Sequence, residues 1–284
     1  MLRISRKRVI FNVFGAYISS ILDFLSKYYN ENGIPQLAVF SHDHISNRIN
    51  VFGRYESDNL YYIESLIKSR KLGNGACLDI GANVGNHALF FSHYFQMVHA
   101  FEPARTPYDL LKINAGLKNN IICHPFGLSD KCGTLRLSTP IDNIGMGSFD
   151  LKASSNENIK TEKTLVMTLD SLESLQELRI ELIKIDVEGH ELAVLIGASE
   201  TIKRNKPIIL FEQQAAEFES GTSRVIEQLQ SYGYINFYCY TSWSRRFPNI
   251  IGIFMRVLFG DKITLTKYSI FEPKYYSMII AIHD

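Results

Sequence analysis

In "LIKIDVEGHE", Leu182 to Glu191, an apolar strand carries Lys184, Asp186, Glu188 and His190 at every second position. Residues two apart in a strand share a face, so Lys184 and Asp186 are neighbours where the strand ends. Two carboxylates flanking one reacting atom can divide into a base and an orienter through opposed pKa shifts, and Asp186 with Glu188 suits that chemistry. Each residue also has a plainer role. Lys184 reads best as the structural partner of Asp186. Glu188 either takes part in chemistry or caps the helix that starts near His190, and His190 is either a general base or an exposed early-helix residue. A second strand end, "FEQQ", sets Glu212 and Gln213 beside Asp186. Asp186, Glu212 and Gln213 together could hold Mg²⁺ and lower the pKa of a bound hydroxyl. That divalent site ranks below metal-free base catalysis, because neighbouring acids at strand ends also bind substrate hydroxyls directly.

A different chemistry belongs to "CLDIGANVGN", where Gly81 and Gly85 occupy the turn between a strand and a helix. Glycines there admit a ligand close to the backbone, although a tight strand-to-helix turn needs them too. Glu102, at the end of the next strand in "HAFEP", can accept both hydroxyls of an unphosphorylated ribose. The turn lacks the G-x-G-x-x-G of a dinucleotide site, which weakens an NAD-dependent oxidoreductase as the reading. Asp79, just ahead of the turn, could hold an ammonium group, so an amino-acid-bearing nucleoside fits better.

These residues need strand ends gathered on one edge. "ACLDIGA", "MVHAFEP", "IICHPFG", "LIKIDVEG" and "PIILFEQ" are strand candidates, and segments 85–96, 106–118 and 190–204 between them have helical periodicity. That alternation predicts a parallel sheet covered on both faces, with ligands at the carboxyl ends of its strands. Before Gly73 the pattern reads as a helix, a hairpin in "LAVFSHDHISNRINVFGRYE" and a short helix ending near Arg70. "YINFYCY" and "YYSMIIAI" read as a late, antiparallel strand pair. The insert between them carries Trp243, Arg245, Arg246, Phe247 and Phe254, either a packed excursion or a lid or membrane-facing loop. "KASSNENIKTEK", Lys152 to Lys163, reads as an exposed loop.

Composition excludes little but bounds the rest. The 284 residues are 46% hydrophobic and 21% charged, with 30 basic against 29 acidic side chains, so no nucleic-acid partner is called for. Cys77, Cys123, Cys132 and Cys239 have neither CxxC nor zinc spacing, and a cytoplasmic location is expected. His87, His93, His99 and His124 share no ligand spacing and read as core or surface histidines. At the N-terminus, "RISRKRVIFNVFGAYISSILDFL" puts basic residues before an apolar stretch. The stretch from Val9 to Leu25 holds Asn12, Ser19, Ser20 and Asp23 and is shorter than the roughly 20 residues a span needs. It reads as an amphipathic helix docked on its own protein; lying on the inner face of a membrane is the alternative.

Taken in order, "LDIGANVGNHALFF", "HAFEPA", "GLSD", "NIGMGSF", "VMTLDSL", "IKIDVEGHELAVLIGA" and "PIILFE" resemble the FkbM family of S-adenosylmethionine-dependent methyltransferases, over roughly residues 50 to 215 from "GRYE" onward. The resemblance implies an α/β class I methyltransferase fold, a Rossmann-like seven-stranded sheet, mostly parallel with one late antiparallel strand and helices on both faces. It implies methyl transfer to oxygen, commonly on a sugar hydroxyl. By position, Asp79, Gly81, Asn83 and Gly85 would line the methionine end of S-adenosylmethionine, Glu102 the ribose and Asp130 the adenine edge, with "NIGMGSF" near the substrate mouth. The expected organisation is a helical and hairpin extension over 1–74, then a methyltransferase domain over 75–284 with an insert at about 241–274. The expected activity is O-methylation of a sugar hydroxyl in a glycan, glycolipid or glycosylated metabolite, centred on Asp186 with Glu188 or His190 as helpers. The rivals are a polyketide or other small-molecule hydroxyl as acceptor, and a non-catalytic module that only binds the nucleoside.

Overall fold

The computed structural model describes residues 5–41, 43–140, 147–149, 159–243, 249–260 and 263–283. In chain order the elements begin with α1 (Arg6–Glu31), α2 (His44–Phe52), α3 (Ser57–Arg70), β1 (Ala76–Ile80), α4 (Asn86–Phe91), β2 (Met97–Phe101), α5 (Arg105–Ala115), β3 (Ile121–His124), β4 (Gly127–Leu128), β5 (Gly133–Pro140) and β6 (Ile159–Met167). They continue with α6 (Glu173–Gln176), β7 (Ile180–Ile185), α7 (Glu191–Gly197), α8 (Ser199–Asn205), β8 (Ile208–Gln213), β9 (Phe218–Glu219), β10 (Thr222–Ser223), α9 (Arg224–Ser231), β11 (Tyr234–Ser242), α10 (Asn249–Phe259), β12 (Ile263–Tyr268) and β13 (Tyr276–His283).

Eight strands make the main sheet in the order β12-β11-β13-β8-β7-β1-β2-β3. From β8 to β3 every pairing is parallel, while β13 runs antiparallel to both β8 and β11. Every residue of β1 and β7 is buried, as expected of parallel strands covered on both faces. The sequence predicted seven strands; the eighth, β12, comes from the insert and pairs antiparallel with β11 from Ser242–Ile263 to Phe237–Tyr268. Its alternating side chains, only partly buried, suit an edge.

The pleat sorts the core into two layers. Leu78, Ile80, Ile183, Ile185, Ile209 and Phe211 pack with Leu195, Ile202 and Leu229 of α7, α8 and α9. Cys77, Leu182 and Leu210 pack on the other face with Leu60, Ile63 and Ile67 of α3, Phe90 and Phe91 of α4, and Leu111 of α5. By the same alternation Asp79, Lys184 and Glu212 belong to the second face and Gln213 to the first. Parity along three neighbouring strands thus decides which polar groups meet.

Several expectations change. The hairpin predicted before Tyr55 is instead the helix α2: Asp43 caps it by accepting from Ser46 N at 3.1 Å, and Gly53 ends it in a left-handed conformation. The first helix is not docked on the protein. It runs 26 residues, is long and apolar enough by length and composition to cross a membrane, and has no buried residue. Among the described residues it is tied down at its C-terminal end, where Tyr29 Oη donates to Val51 O at 2.7 Å and Gln36 bonds Ser26. The helical segment 190–204 is broken at Ala198 into α7 and α8. Of the loop expected at 152–163, Ile159 onward is the start of β6 and the rest lies outside the described residues. Arg245, Arg246 and Phe247 also lie outside them.

Gly81 joins the two central strands at their carboxyl ends. A Cβ there would lie 1.8 Å from Asp186 O, and φ is +77°. Gly81→Ala is therefore expected to lower stability by about 3 kcal/mol or more, through strain and the forced separation of β1 from β7, as read from urea unfolding of wild type and variant.

Candidate active site

The carboxyl ends of β1, β2, β7 and β8 surround one cavity, lined by Gly81, Asn83, Glu102, Lys184, Asp186, Glu188 and Glu212 among others. At one end the turn after β1 folds back on β2, with Gly81 N and Ala82 N both donating to Phe101 O at 3.0 Å. This places Asn83 N 2.8 Å from Glu102 Oε2, while Ala104 N donates to Oε1 at 2.8 Å. Both oxygens of Glu102 are thereby fixed in direction. Burial raises its carboxyl to about 7 despite those two bonds. Gly85 does not line the cavity; it stands at the N-cap of α4 in a left-handed conformation, φ +91°, that favours glycine.

At the other end a buried lysine organises the acids. Lys184 Nζ lies 3.3 Å from Asp79 Oδ1 and 3.2 Å from Asp186 Oδ2, and donates to Gly81 O at 3.1 Å. Burial alone would lower its pKa, but Asp186 and Asp79 outweigh that and hold it raised. The Lys–Asp pair read from the sequence is thus a triad. Asp79 is fully buried behind Lys184 and does not line the cavity, so the structure does not bring it to the methionine end.

Glu188 lines the cavity from a left-handed position, φ +51°, just past β7. It does not cap the following helix. No side chain does: Glu191 Oε1 instead ties down the turn before the helix, accepting from Val187 N at 3.3 Å and Gly189 N at 3.2 Å. Burial, and then the charge of Asp186, push Glu188 up to about 7. Burial, and then Asp186 and Glu188, push Glu212 up to about 8. Gln214 Nε2 donates to Glu212 Oε1 at 2.8 Å, and Tyr275, its own pKa raised by burial and by Glu212, bonds the same carboxyl.

Three sequence-level assignments are corrected. His190 is neither exposed nor at the cavity: it is buried at the start of α7, with Nε2 2.9 Å from Ser129 Oγ and its ring 5.0 Å from Phe149. Asp130 is exposed beside Lys131 and does not line the cavity. The ligand set Asp186, Glu212 and Gln213 is not assembled, because Gln213 leaves β8 on the opposite face from Glu212 and bonds the buried Ser223 hydroxyl. Among the described residues no group of three or more His, Cys, Asp or Glu is arranged to hold a metal ion. Of "NIGMGSF", Gly147 and Phe149 line the cavity and Asn143 to Met146 lie outside the described residues.

Sequence reasoning missed Glu56, Tyr55, His87 and Tyr275, all of which line the cavity. Asn86 holds the first two in place, its side chain accepting from Tyr55 N at 3.0 Å and donating to Tyr55 O at 3.1 Å. Glu56 Oε2 lies 3.5 Å from His87 Nε2. Burial, and then Glu56, raise Tyr55 to about 12. The one signal for Glu56 was its place in "GRYE"; nothing in the chain singles out Tyr275.

Glu102, Glu188, Glu191 and Glu212 all have folded pKa values raised to about 7 or 8, above roughly 4.3 in the unfolded chain. A raised carboxyl adds stability that is complete below the unfolded value and disappears as pH rises through the folded one. The urea midpoint of the ligand-free protein is therefore expected to fall from pH 5 to pH 8.5, with a shallower fall in Glu212→Gln. A midpoint that rises over that window contradicts the charge arrangement.

A family model described as the methyltransferase FkbM domain matches residues 79–235, more than half of the chain. The hexuronic acid methyltransferase AglP of Haloferax volcanii is 30% identical over 126 residues, 44% of this chain and 50% of that protein. The chain thus spans about half the length of that curated relative. Among solved structures, methyltransferase FkbM from Methylobacillus flagellatus KT overlays with a TM-score of 0.41 at 16% identity, over 73% of this chain and 43% of that one. The O-methyltransferase from Bacillus cereus, solved with SAH, overlays with a TM-score of 0.42 at 12% identity, over 93% and 91%. Overlays this loose carry no weight for the site. On the match over residues 79–235, the chain belongs to the FkbM family of S-adenosylmethionine-dependent methyltransferases.

Proposed function

We propose that this methyltransferase acts on a hydroxyl oxygen of a sugar, in a glycan, a glycolipid or a glycosylated metabolite. The observation that carries the reading is the convergence of Glu56, Asp186, Glu188 and Glu212 on one end of a cavity whose other end is framed by Glu102. A sugar offers several neighbouring hydroxyl donors, and a ring of carboxylates offers the matching acceptors. The name of AglP, a hexuronic acid methyltransferase, points to a sugar acceptor in a relative.

The chain's own residues fit the cofactor. Glu102 has lone pairs left for the hydroxyls of an unphosphorylated ribose, and Phe101, Leu128 and Phe149 give the cavity apolar walls. S-adenosylmethionine supplies an electrophilic sulfonium methyl group. An alcohol is a weak nucleophile at neutral pH and gains from a base whose pKa lies near the working pH. Glu188 and Glu212 meet that condition, at about 7 and about 8. Asp186, held by Lys184 on Oδ2, orients the acceptor hydroxyl as the methyl group goes to its oxygen. The hydroxyl proton passes to Glu188 or Glu212, leaving a methyl ether and S-adenosylhomocysteine.

Tritiated methyl transfer from S-adenosylmethionine to fractionated host glycans and lipids, with a polyketide and small-molecule hydroxyl panel alongside, tests the acceptor. Label recovered as a sugar methyl ether is the expected result; label only in non-sugar hydroxyls overturns it, and cofactor binding without turnover anywhere would favour a binding module. Glu102→Ala is expected to weaken S-adenosylhomocysteine binding by roughly 1–3 kcal/mol, as for a lost charge-assisted hydrogen bond, measured by calorimetry. Asp186→Asn is expected to keep that affinity near wild type while kcat falls by about two orders of magnitude or more. Removing its negative charge also lowers the pKa of Glu188 and Glu212, so the rising limb of residual kcat/KM against pH moves to lower pH. An unmoved limb removes Asp186 from the centre.

A further inference from the structure

Beside the cavity runs a groove of about 930 Å³, against about 270 Å³ for the cavity itself. The two share His44, Tyr55, Glu56 and Tyr275 in their walls, so they meet at the acidic end. Every residue lining the groove lies outside 79–235, on the segments 44–59 and 239–278. Among the described residues, the family-matched part of the chain therefore contributes nothing to its walls.

We propose that this groove is a subsite for the further units of a neutral saccharide chain, so that the preferred acceptor is an oligosaccharide rather than a single sugar; this rests on the sugar-hydroxyl reading above. Three features of the groove favour that ligand. Its wall has a half-buried tyrosine ring fixed by its neighbours: Tyr268 stacks on Phe271 at 5.5 Å and meets the buried Tyr276 edge-on at 6.3 Å. Apolar C–H faces of sugar rings pack on such surfaces. Around the rings stand neutral donors and acceptors, among them Asn59, Thr241, Ser242 and Thr266, which match sugar hydroxyls. The cations present are already engaged. Arg48 lies over Phe52 at 4.9 Å, Arg54 over Phe90 at 5.7 Å, and Lys274 bonds Glu272 at 2.8 Å, so among the described lining residues no cluster of unpartnered charge is set out for a phosphate.

Charge at the reacting end selects in the same direction. Lys184 is the one lysine or arginine among the described residues lining the cavity, and Asp79, Asp186 and Gly81 O already occupy it. A uronate carboxylate would meet Glu56, Asp186, Glu188 and Glu212 with no unengaged lysine or arginine among the described lining residues to receive it. The hexuronic acid in the name of AglP is accordingly not the acceptor expected here.

The test compares kcat/KM for methyl transfer from S-adenosylmethionine to methyl glycosides of glucose, mannose, galactose, rhamnose, N-acetylglucosamine and glucuronic acid, and to a trisaccharide ending in each. The expected result is that the trisaccharide of the accepted neutral sugar exceeds its monosaccharide by at least about tenfold. Thr266→Trp, a bulky residue that an edge strand tolerates, should bring that ratio close to one, and Tyr268→Ala should lower it as well. Equal kcat/KM for one and three units in the wild type overturns the subsite and leaves the sugar reading intact. Preference for the glucuronide overturns the neutral class. Methyl transfer to non-sugar hydroxyls alone removes the sugar reading and the subsite together.

A separate observation concerns α1. Ten large apolar side chains on it are exposed, from Val9 to Tyr28, and at about 100° per residue they cover an arc of roughly 200°. Asn12, Ser19, Asp23 and Ser26 lie on the opposite strip. An arc this wide exceeds a coiled-coil seam, and the first turn carries Arg6, Lys7 and Arg8, which complement anionic headgroups. Far along the chain α10 also exposes Ile251, Phe254, Val257, Leu258 and Phe259. We infer that α1 lies along the surface of an anionic lipid bilayer. The full chain is expected to float with vesicles containing phosphatidylglycerol and less with pure phosphatidylcholine, and Phe11→Asp with Phe14→Asp should abolish flotation. A chain that stays off both vesicles, that dimerises through α1 in light scattering instead, or that leaves membranes only with detergent overturns the inference.

Discussion

A buried ammonium group sets the terms for the whole edge of the sheet. The Lys184 side chain is 9% exposed, and a charge taken out of water is tolerated only when it is paired and its donors are bonded. Its three acceptors come from β1, from the turn after β1 and from the end of β7. Satisfying one cation therefore pins both turns that form the cavity, and Gly81 has no side chain so that they can close on each other. Asp79 is committed to that task, and Asp186 shares in it through Oδ2. Glu188 and Glu212 answer for their own burial in another way, by holding protons more tightly, which suits them to the proton transfer proposed above.

Much of this was legible in the chain. Alternation in "LIKIDVEGHE" located a strand end, and the turn at Gly81 with Glu102 located a second, because strand period and glycine conformation are local properties. The errors are equally physical. Gln213 was grouped with Glu212 by adjacency, although neighbours in a strand face opposite ways. His190 and Asp130 were placed by position in a motif, and tertiary packing turned one into a buried partner of Ser129 and left the other outside. Asp43 and Gly53 were a helix start and stop ten residues apart, masked by the β-like pattern around them. Glu56 and Tyr275 come to the site from segments more than two hundred residues apart, and no local signal predicts such a meeting.

The molecule separates two jobs along its length. The stretch that matches the family carries Glu102, Asp186, Glu188 and Glu212, and with them the cofactor binding and proton handling proposed above. The segments on either side carry α2, the start of α3 and the strands β11 to β13, which wall the adjoining groove. Asn86 is the joint between them: one side-chain amide bonds both backbone groups of Tyr55 and so fixes the outer segment to the inner one. Asn114 does the same further out, its side chain bonding both backbone groups of Ala38. Terminal regions with no family signature are thus held at fixed distance from the chemistry.

The opposite facing of Glu212 and Gln213 has a consequence for how such a site can change over generations. Inserting or deleting one residue within β8 would exchange the two, sending an amide to the cavity and a carboxyl into the apolar layer around Ser223, because a slip of one inverts every side chain of a strand. Replacing one aliphatic side chain by another in the same strand changes only packing. The count of residues between a strand's anchor and its end is therefore under tighter restraint here than the identity of most residues counted.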